Sequence, residues 1–387
     1  MFIRTLSLEN FRNLQKQTLT LHPRINIFTG VNGSGKTNLL ESIATLALGR
    51  SQRLNSSDSA LIQAGSTFFR LEGVIESQQR SYELTVACEN SPGSRGKKIT
   101  LDSQPVRASE LFRTFALVIL SPEDSDIISG GPSARRRFLD FHLSQASATY
   151  LDNLSRYQRI LAQRNSHLRQ YQLGSGGTPF DDELIAVGAR ITAFRLEFLR
   201  YAQSRAGQYY HKISSGADLS CHYLPSIILS STDKKLSVSE RDEFLELNSS
   251  ESRMQESFKR RLESRREIER RRETTVVGPH RDDFEVAIRK YPARTHGSQG
   301  EWRSAAVALK LAVYNFLRER KEEPPILLLD EIFAELDITR QDALIGSFSE
   351  LGQLIVTTAL KPPESIADSA RIFSVAAGAS EIVQPGA

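Results

Sequence analysis

Gly30-Val31-Asn32-Gly33-Ser34-Gly35-Lys36-Thr37 is the stretch that decides the fold. It lies between an apolar run, Ile25 to Phe28, and a segment in which Leu39, Leu40, Ile43 and Leu46 recur at helical spacing. A strand, a glycine-rich turn and a helix in that order form a phosphate-binding loop. The glycines let successive backbone N–H groups turn toward phosphate oxygens at the positive end of the helix. In this pattern Lys36 reaches the β- and γ-phosphates and the Thr37 hydroxyl is a magnesium ligand. Asn32, Gly33, Ser34, Gly35 and Asn38 are the remaining candidate cradle residues.

The loop alone does not say what the nucleotide is for, and its partner element lies far downstream. Pro325-Ile326-Leu327-Leu328-Leu329-Asp330-Glu331 is an all-apolar run that ends in two carboxylates. Such continuous hydrophobicity predicts a parallel strand covered on both faces. Ligands bind beyond the carboxyl ends of such strands, so Asp330 is placed to hold magnesium, directly or through water. Glu331 is then the candidate general base for water attacking the γ-phosphate. No phosphate-acceptor site of the kind a simple kinase needs is recognisable beside them.

The chain has 387 residues, too many for one compact core, and two units are expected. Hydrophobic residues make up 39% and charged residues 25%, an ordinary soluble balance. No run of apolar residues is long enough for a membrane span, and no signal-peptide core follows Met1. The expectation is a cytoplasmic protein. Cys88 and Cys221 can make neither a disulfide framework nor a metal site and are expected in cores or half-buried strands. A formal charge of +4 is a mild argument for a polyanionic partner.

Alternation in Ile3 to Leu8, Gln17 to Leu21, Phe68 to Ile75 and Tyr82 to Cys88 predicts strands with one solvated face. A further apolar strand is expected over Phe115 to Leu120. After Gly130-Gly131-Pro132 the texture changes. Residues 133–173 lack glycine and proline and predict one long helix, and a second follows Gly174–Pro179, giving an antiparallel pair. A third helix is expected over 253–272, where nine basic residues face four acidic ones around the stripe Met254, Phe258, Leu262 and Ile268. Lys259, Arg260, Arg261, Arg265 and Arg266 are its candidate contacts to DNA phosphates, although an ion-paired solvated face fits the same pattern. Alternation returns at Thr274 to Val277. The expected organisation is an ATPase domain split into 1–123 and 274–387, with a mainly helical domain inserted at 124–273.

Leu8-Glu9-Asn10-Phe11-Arg12-Asn13, the phosphate loop and Asp330-Glu331 together resemble the ATPase heads of chromosome-maintenance and repair proteins of the ABC class. More closely, the chain resembles the RecF family of bacterial recombination mediators. That likeness rests on Ser121-Pro122-Glu123-Asp124, Gly131 to Asp140, Gly278-Pro279-His280-Arg281-Asp282-Asp283-Phe284, Ser298-Gln299-Gly300-Glu301, Ala308 to Ala312 and Leu329 to Asp337. It spans essentially the whole chain.

The resemblance implies an ABC-type P-loop ATPase head, with mixed and parallel sheet, that uses ATP and Mg2+. It implies that Ser298 and Gly300 form a signature motif contacting the γ-phosphate held by an opposite protomer. Asp337 would lie on the loop crossing that seam, and Arg12 near the nucleotide phosphates. It further implies a weak, DNA-stimulated ATPase that dimerises on ATP, binds duplex DNA near single-strand gaps or junctions, and promotes RecA loading with RecO and RecR. Three departures stand out: Glu301 where the family often has Gln, no glutamine near Glu123, and no switch histidine at Thr358. Slow hydrolysis, suited to a switch, is therefore expected. The alternative is the head of a chromosome-tethering complex, which would need hundreds of residues of heptads. A transporter ATPase would need the missing glutamine and histidine.

Overall fold

The computed structural model describes residues 1–51, 57–91, 94–170, 177–214, 216–228, 240, 243, 245–246, 250–335, 338–346 and 351–386. They divide into two compact units. One comprises Met1–Asp124, Lys212–Ser215 and Lys310–Ala387, and the other Ser125–His211 and Gly216–Leu309.

The first unit is built on two sheets. In one, the phosphate-loop strand Ile25–Thr29 lies between Leu354–Thr358 and Arg371–Ala376, with the acidic strand Ile326–Asp330 and Leu117–Leu120 beyond. These five strands are parallel, and Ala379–Gln384 pairs antiparallel on the far edge. Every residue of Ile326–Asp330 and of Leu354–Thr358 is buried, the pattern expected of strands covered on both faces. The other sheet is antiparallel, in the order Gln17–Thr20, Phe2–Glu9, Phe68–Glu76, Ser81–Ser91, Ser94–Leu101, Gln104–Pro105.

Helix Lys36–Leu48 contacts both sheets and buries almost every residue, as a helix apolar on nearly all sides must. The approach is close at Gly73, where a Cβ would fall 2.5 Å from Leu46 Cδ2. The buried Gln353 side chain also ties the sheets. Its Oε1 accepts the Ile3 N–H at 2.8 Å, and its Nε2 donates to Ile3 O at 2.9 Å and His22 O at 3.0 Å.

The second unit packs helices Pro132–Ala146, Ala148–Gln170, Asp181–Ile213 and Glu251–Arg272 with a small sheet, Tyr291–Pro292, Asp283–Ile288 and Leu219–Leu224. Tyr150 meets Arg195 and Arg164 meets Asp181, so the two longest helices run antiparallel. Helices Asp181–Ile213 and Glu251–Arg272 touch at Gly188, where a Cβ would lie 2.4 Å from the Phe258 ring.

Three sequence expectations change. The single helix over 133–173 is broken at Ser147, which is extended (φ −145°) and whose Oγ accepts the Tyr150 N–H at 3.2 Å; a hydroxyl cap ends one helix and starts the next. Its last residues, 171–173, lie outside the described residues. Thr274 to Val277 is not a strand. The Thr275 N–H goes to Asn165 Oδ1 at 2.8 Å and the Val276 N–H to Glu269 Oε1 at 2.9 Å, so side chains, and no ladder, satisfy this backbone. Finally, the second unit does not close at residue 273 but extends to Leu309, because Asp283–Ile288 pairs with Leu219–Leu224. Cys88 and Cys221 are both free and buried, and burial pushes the Cys221 thiol up to about 12.

Candidate nucleotide site

The strand Ile25–Thr29 delivers the chain into the loop, where Gly33 and Gly35 take left-handed backbone angles of 82° and 112°. A Cβ-bearing residue adopts these only with strain. Gly35 then occupies the N-cap of helix Lys36–Leu48, with no side-chain cap and no acidic residue in the first turn. The helix start thus keeps its N–H groups and its positive end for an anion.

Lys36, buried, donates from Nζ to Gly30 O at 2.8 Å and Val31 O at 3.1 Å, and pairs with Glu331 Oε1 at 2.9 Å. Two residues earlier, the Ser34 hydroxyl is buried with no hydrogen-bond partner among the described residues. A buried orphan hydroxyl beside a buried ammonium and an uncapped helix start fits a polyphosphate.

The acidic strand brings its carboxylates to the same place. Asp330 Oδ1 accepts the Thr37 hydroxyl at 3.0 Å and the Thr357 hydroxyl at 2.7 Å. Thr37 and Asp330, 293 positions apart, are therefore neighbours, as a shared magnesium site requires. Glu331 follows with a left-handed backbone (φ 54°), which turns its side chain out of the strand's alternation. Its carboxylate is held between Lys36 and the Ala359 N–H at 2.9 Å.

Around this centre, Asn32 is exposed, and Asn38 Nδ2 donates to Asn13 Oδ1 at 2.7 Å. Arg12 points along the helix, where its Nε and Nη2 grip the two oxygens of buried Glu41 at 3.0 and 3.1 Å. Ser51 Oγ adds a third bond to Glu41 at 2.6 Å. Asp337 lies outside the described residues. Asp124, beside the position that lacks a glutamine, pairs with Lys310 at 2.8 Å; burial raises its pKa and Lys310 pulls it back.

Ser298 and Gly300 lie in the second compact unit, at the start of helix Gln299–Lys321. Ser298 is exposed and caps that helix, its Oγ accepting the Glu301 N–H at 3.3 Å. The cation that balances Glu301 is Arg289, 3.1 Å away.

The segment Gly278–Asp283 is a structural turn in which Gly278, Pro279 and Asp282 are buried. Its carboxylates lie beside Arg281 in sequence but pair with distant arginines. Asp283 takes a two-pronged bond from Arg135 at 2.6 and 2.9 Å, and Asp282 accepts from Tyr223 Oη at 2.5 Å and Ser226 N at 2.7 Å, with Arg195 at 3.7 Å. Arg135 and Arg136 are thereby committed to this turn, which leaves Arg137 as the exposed member of 135–137. Among the five candidate DNA contacts, Arg260 pairs with Glu256 and Arg266 with Glu263 on their own helix. Lys259 is exposed, and Arg261 and Arg265 are half-buried. Exposed pairs of this kind are weak, and they suit a solvated face while leaving the same side chains able to meet phosphates.

Sequence reading missed Thr357, Glu41 and Arg289. Thr357 stands opposite Asp330 in the sheet register, so strand order would have been needed to find it. Glu41 carried a usable signal, an acid on an otherwise apolar helix face.

A family model described as RecF/RecN/SMC N terminal domain matches residues 2–381. The DNA replication and repair proteins RecF of Staphylococcus haemolyticus and Halalkalibacterium halodurans are each 36% identical to this chain, covering 92% of it and 93% and 92% of their own lengths. Two solved structures of the recombination mediator protein RecF in the RecFOR pathway, RecF-ATPrS and RecF-ATP, match with TM-scores of 0.83 and 0.82 at 29% and 28% identity, over 99% of this chain and 98% of each. An SmcHead bound to the C-winged helix domain of ScpA shares the fold, with a TM-score of 0.56 at 16% identity. No helix among the described residues is long and apolar enough to cross a membrane. With its P-loop ATPase head and inserted helices, the chain belongs to the RecF family of DNA replication and repair proteins.

Proposed function

We propose that this chain is a cytoplasmic, ATP-dependent recombination mediator that binds duplex DNA near single-strand gaps or junctions and acts with RecO and RecR to load RecA. Hydrolysis would be weak, stimulated by DNA, and used as a switch. The observation that carries the reading is the meeting of Lys36, Ser34, Thr37 and Asp330 in one phosphate cradle, while Ser298 sits exposed at a separate helix start. A cradle and a second, outward anion site suit two chains that share nucleotides.

Bound Mg2+ would supply charge neutralisation between the phosphates, held by Thr37 and Asp330. Thr357 orients Asp330 through its hydroxyl. Lys36 exchanges its present acceptors for phosphate oxygens, and this releases Glu331 to take a proton from water. The Glu331 backbone keeps the carboxylate aimed at the loop. Ser298 of each chain would meet the γ-phosphate carried by the other.

Solution mass measured with ATP and magnesium, with and without gapped duplex DNA, tests the reading. The expected result is a monomer that becomes a dimer with ATP and is retained on gapped DNA, with Ser298→Arg binding nucleotide but staying monomeric. A Ser298→Arg chain that dimerises like the parent would remove the signature from the interface.

A further inference from the structure

The start of helix Gln299–Lys321 carries an electrostatic conflict. Glu301 Oε2 accepts both the Ser298 N–H at 2.9 Å and the Ser298 hydroxyl at 3.1 Å, and the Glu301 N–H returns to Ser298 Oγ at 3.3 Å. This reciprocal capping box stabilises the helix start. It also places a carboxylate on the same hydroxyl and N–H groups that would face a phosphate. Two anions competing for one set of donors repel each other unless a cation is added.

That cation is present. Arg289 Nη1 lies 3.1 Å from Oε1, the other oxygen of Glu301. Arg289 comes from a two-residue hairpin turn whose flanking strands pair Ile288 with Tyr291. Arg289 and Lys290 both hold positive φ, 49° and 70°, the geometry of a tight type I′ turn normally given to Asn-Gly. The turn is thus held in a conformation that side chains resist, and the Arg289 N–H is anchored to Asp218 O at 3.1 Å. From Arg289 to His296 the chain contains Lys290 and Arg294 and no acidic residue. The segment that flanks this helix start is therefore basic.

We infer that Arg289 is a positioning residue. It neutralises Glu301 so that Ser298 and the first N–H groups of its helix can receive the γ-phosphate presented by a second copy of this chain. As that phosphate arrives, the Ser298 hydroxyl turns its proton from Glu301 to a phosphate oxygen, while Glu301 keeps the Ser298 N–H and Arg289. The inference rests on the dimer proposed above and adds what makes an acidic signature motif compatible with it.

The test uses the full chain with a slowly hydrolysed ATP analogue and magnesium. Dimerisation is read by sedimentation, nucleotide affinity is titrated on the dilute monomer, and a thermal melt checks folding. Arg289→Ala is expected to raise the dimer dissociation constant about tenfold, and Arg289→Glu more, with monomer affinity unchanged. Glu301→Gln should dimerise at least as well as the parent, and the double variant Arg289→Ala/Glu301→Gln should return to the Glu301→Gln level. That rescue separates neutralisation from a role in the turn alone, since the turn is equally altered in the single and double variants. An Arg289→Ala chain that dimerises normally, or a double variant as weak as Arg289→Ala, overturns the inference. Ser298→Arg in the same experiment keeps the two levels apart. If it dimerises normally, Ser298 lies outside the interface and the reading on which the inference rests fails; if it stays monomeric while Arg289→Ala dimerises normally, the inference alone fails.

Discussion

Asp330-Glu331 and Asp282-Asp283 are both adjacent carboxylates that end a short apolar or turn segment, and on paper they look alike. Their surroundings separate them. Asp282 and Asp283 have their oxygens taken by two arginines, a tyrosine and two backbone N–H groups, all from within their own unit. Burial raises the Asp282 pKa, and the nearby Arg195 draws it back. Asp330 accepts the hydroxyls of Thr37 and Thr357, and Glu331 is bound to the one lysine that a phosphate would claim. The first pair is saturated by the protein and holds helices together. The second is held by the lysine and the hydroxyl that a nucleotide and its magnesium would engage. The kind of partner, more than acidity, distinguishes a structural charge from a working one.

The largest expected effect lies on the structural side. Arg195→Ala leaves Asp282 and Asp140 short of a cation and is expected to cost about 3–5 kcal/mol of stability in denaturant melts. Nucleotide affinity of the folded fraction should not change. Lys36→Ala should do the opposite, weakening ATP binding by about a hundredfold in an equilibrium titration, with the melt preserved. If Lys36→Ala unfolds the chain, or if Arg195→Ala spares its stability, the contrast between the two carboxylate pairs is wrong.

A third prediction concerns pH. Burial holds His280 down to about 4 from 6.5, while its ring bonds Tyr157 Oη at 2.8 Å and Thr275 O at 3.0 Å. The unfolded chain therefore takes up this proton first as pH falls. Stability is full above about 6.5 and declines toward about 4, by up to about 3 kcal/mol from this group. His280→Gln should flatten that part of a stability–pH curve, and an unchanged slope would assign the acid sensitivity elsewhere. The smallest effect belongs to the basic helix. Arg260→Ala, which breaks only an exposed pair with Glu256, should change stability by less than about 0.5 kcal/mol. In salt-titrated binding to gapped duplex it should leave the slope alone. A slope flattened by about 0.9 would return this face to DNA.

The nucleotide half of the molecule was legible because its signals are local. Residues 25–48 and 325–331 each state strand, turn or helix within a few positions, and their joint chemistry follows from the residue types. The break at Ser147 was hidden because a hydroxyl cap leaves no trace in glycine or proline content. Thr274 to Val277 misled because alternation does not reveal that side chains from distant helices supply the hydrogen bonds. Thr357 and Arg289 were illegible for a related reason. One acts through sheet register and the other through a hairpin aimed at a helix start, and neither geometry exists until the chain has folded.

The position of Ile25–Thr29 between strands Leu354–Thr358 and Arg371–Ala376 has a consequence in time. During synthesis the phosphate strand is made more than 300 residues before either of its neighbours. At about 5–20 residues per second, its apolar faces stay unpaired for on the order of tens of seconds. Gln353, which stitches Ile3 to the same late strand, joins only then. The nascent chain thus carries an unmatched hydrophobic strand until those two segments are made. The helical unit, whose strands and helices all precede Leu309, can assemble meanwhile.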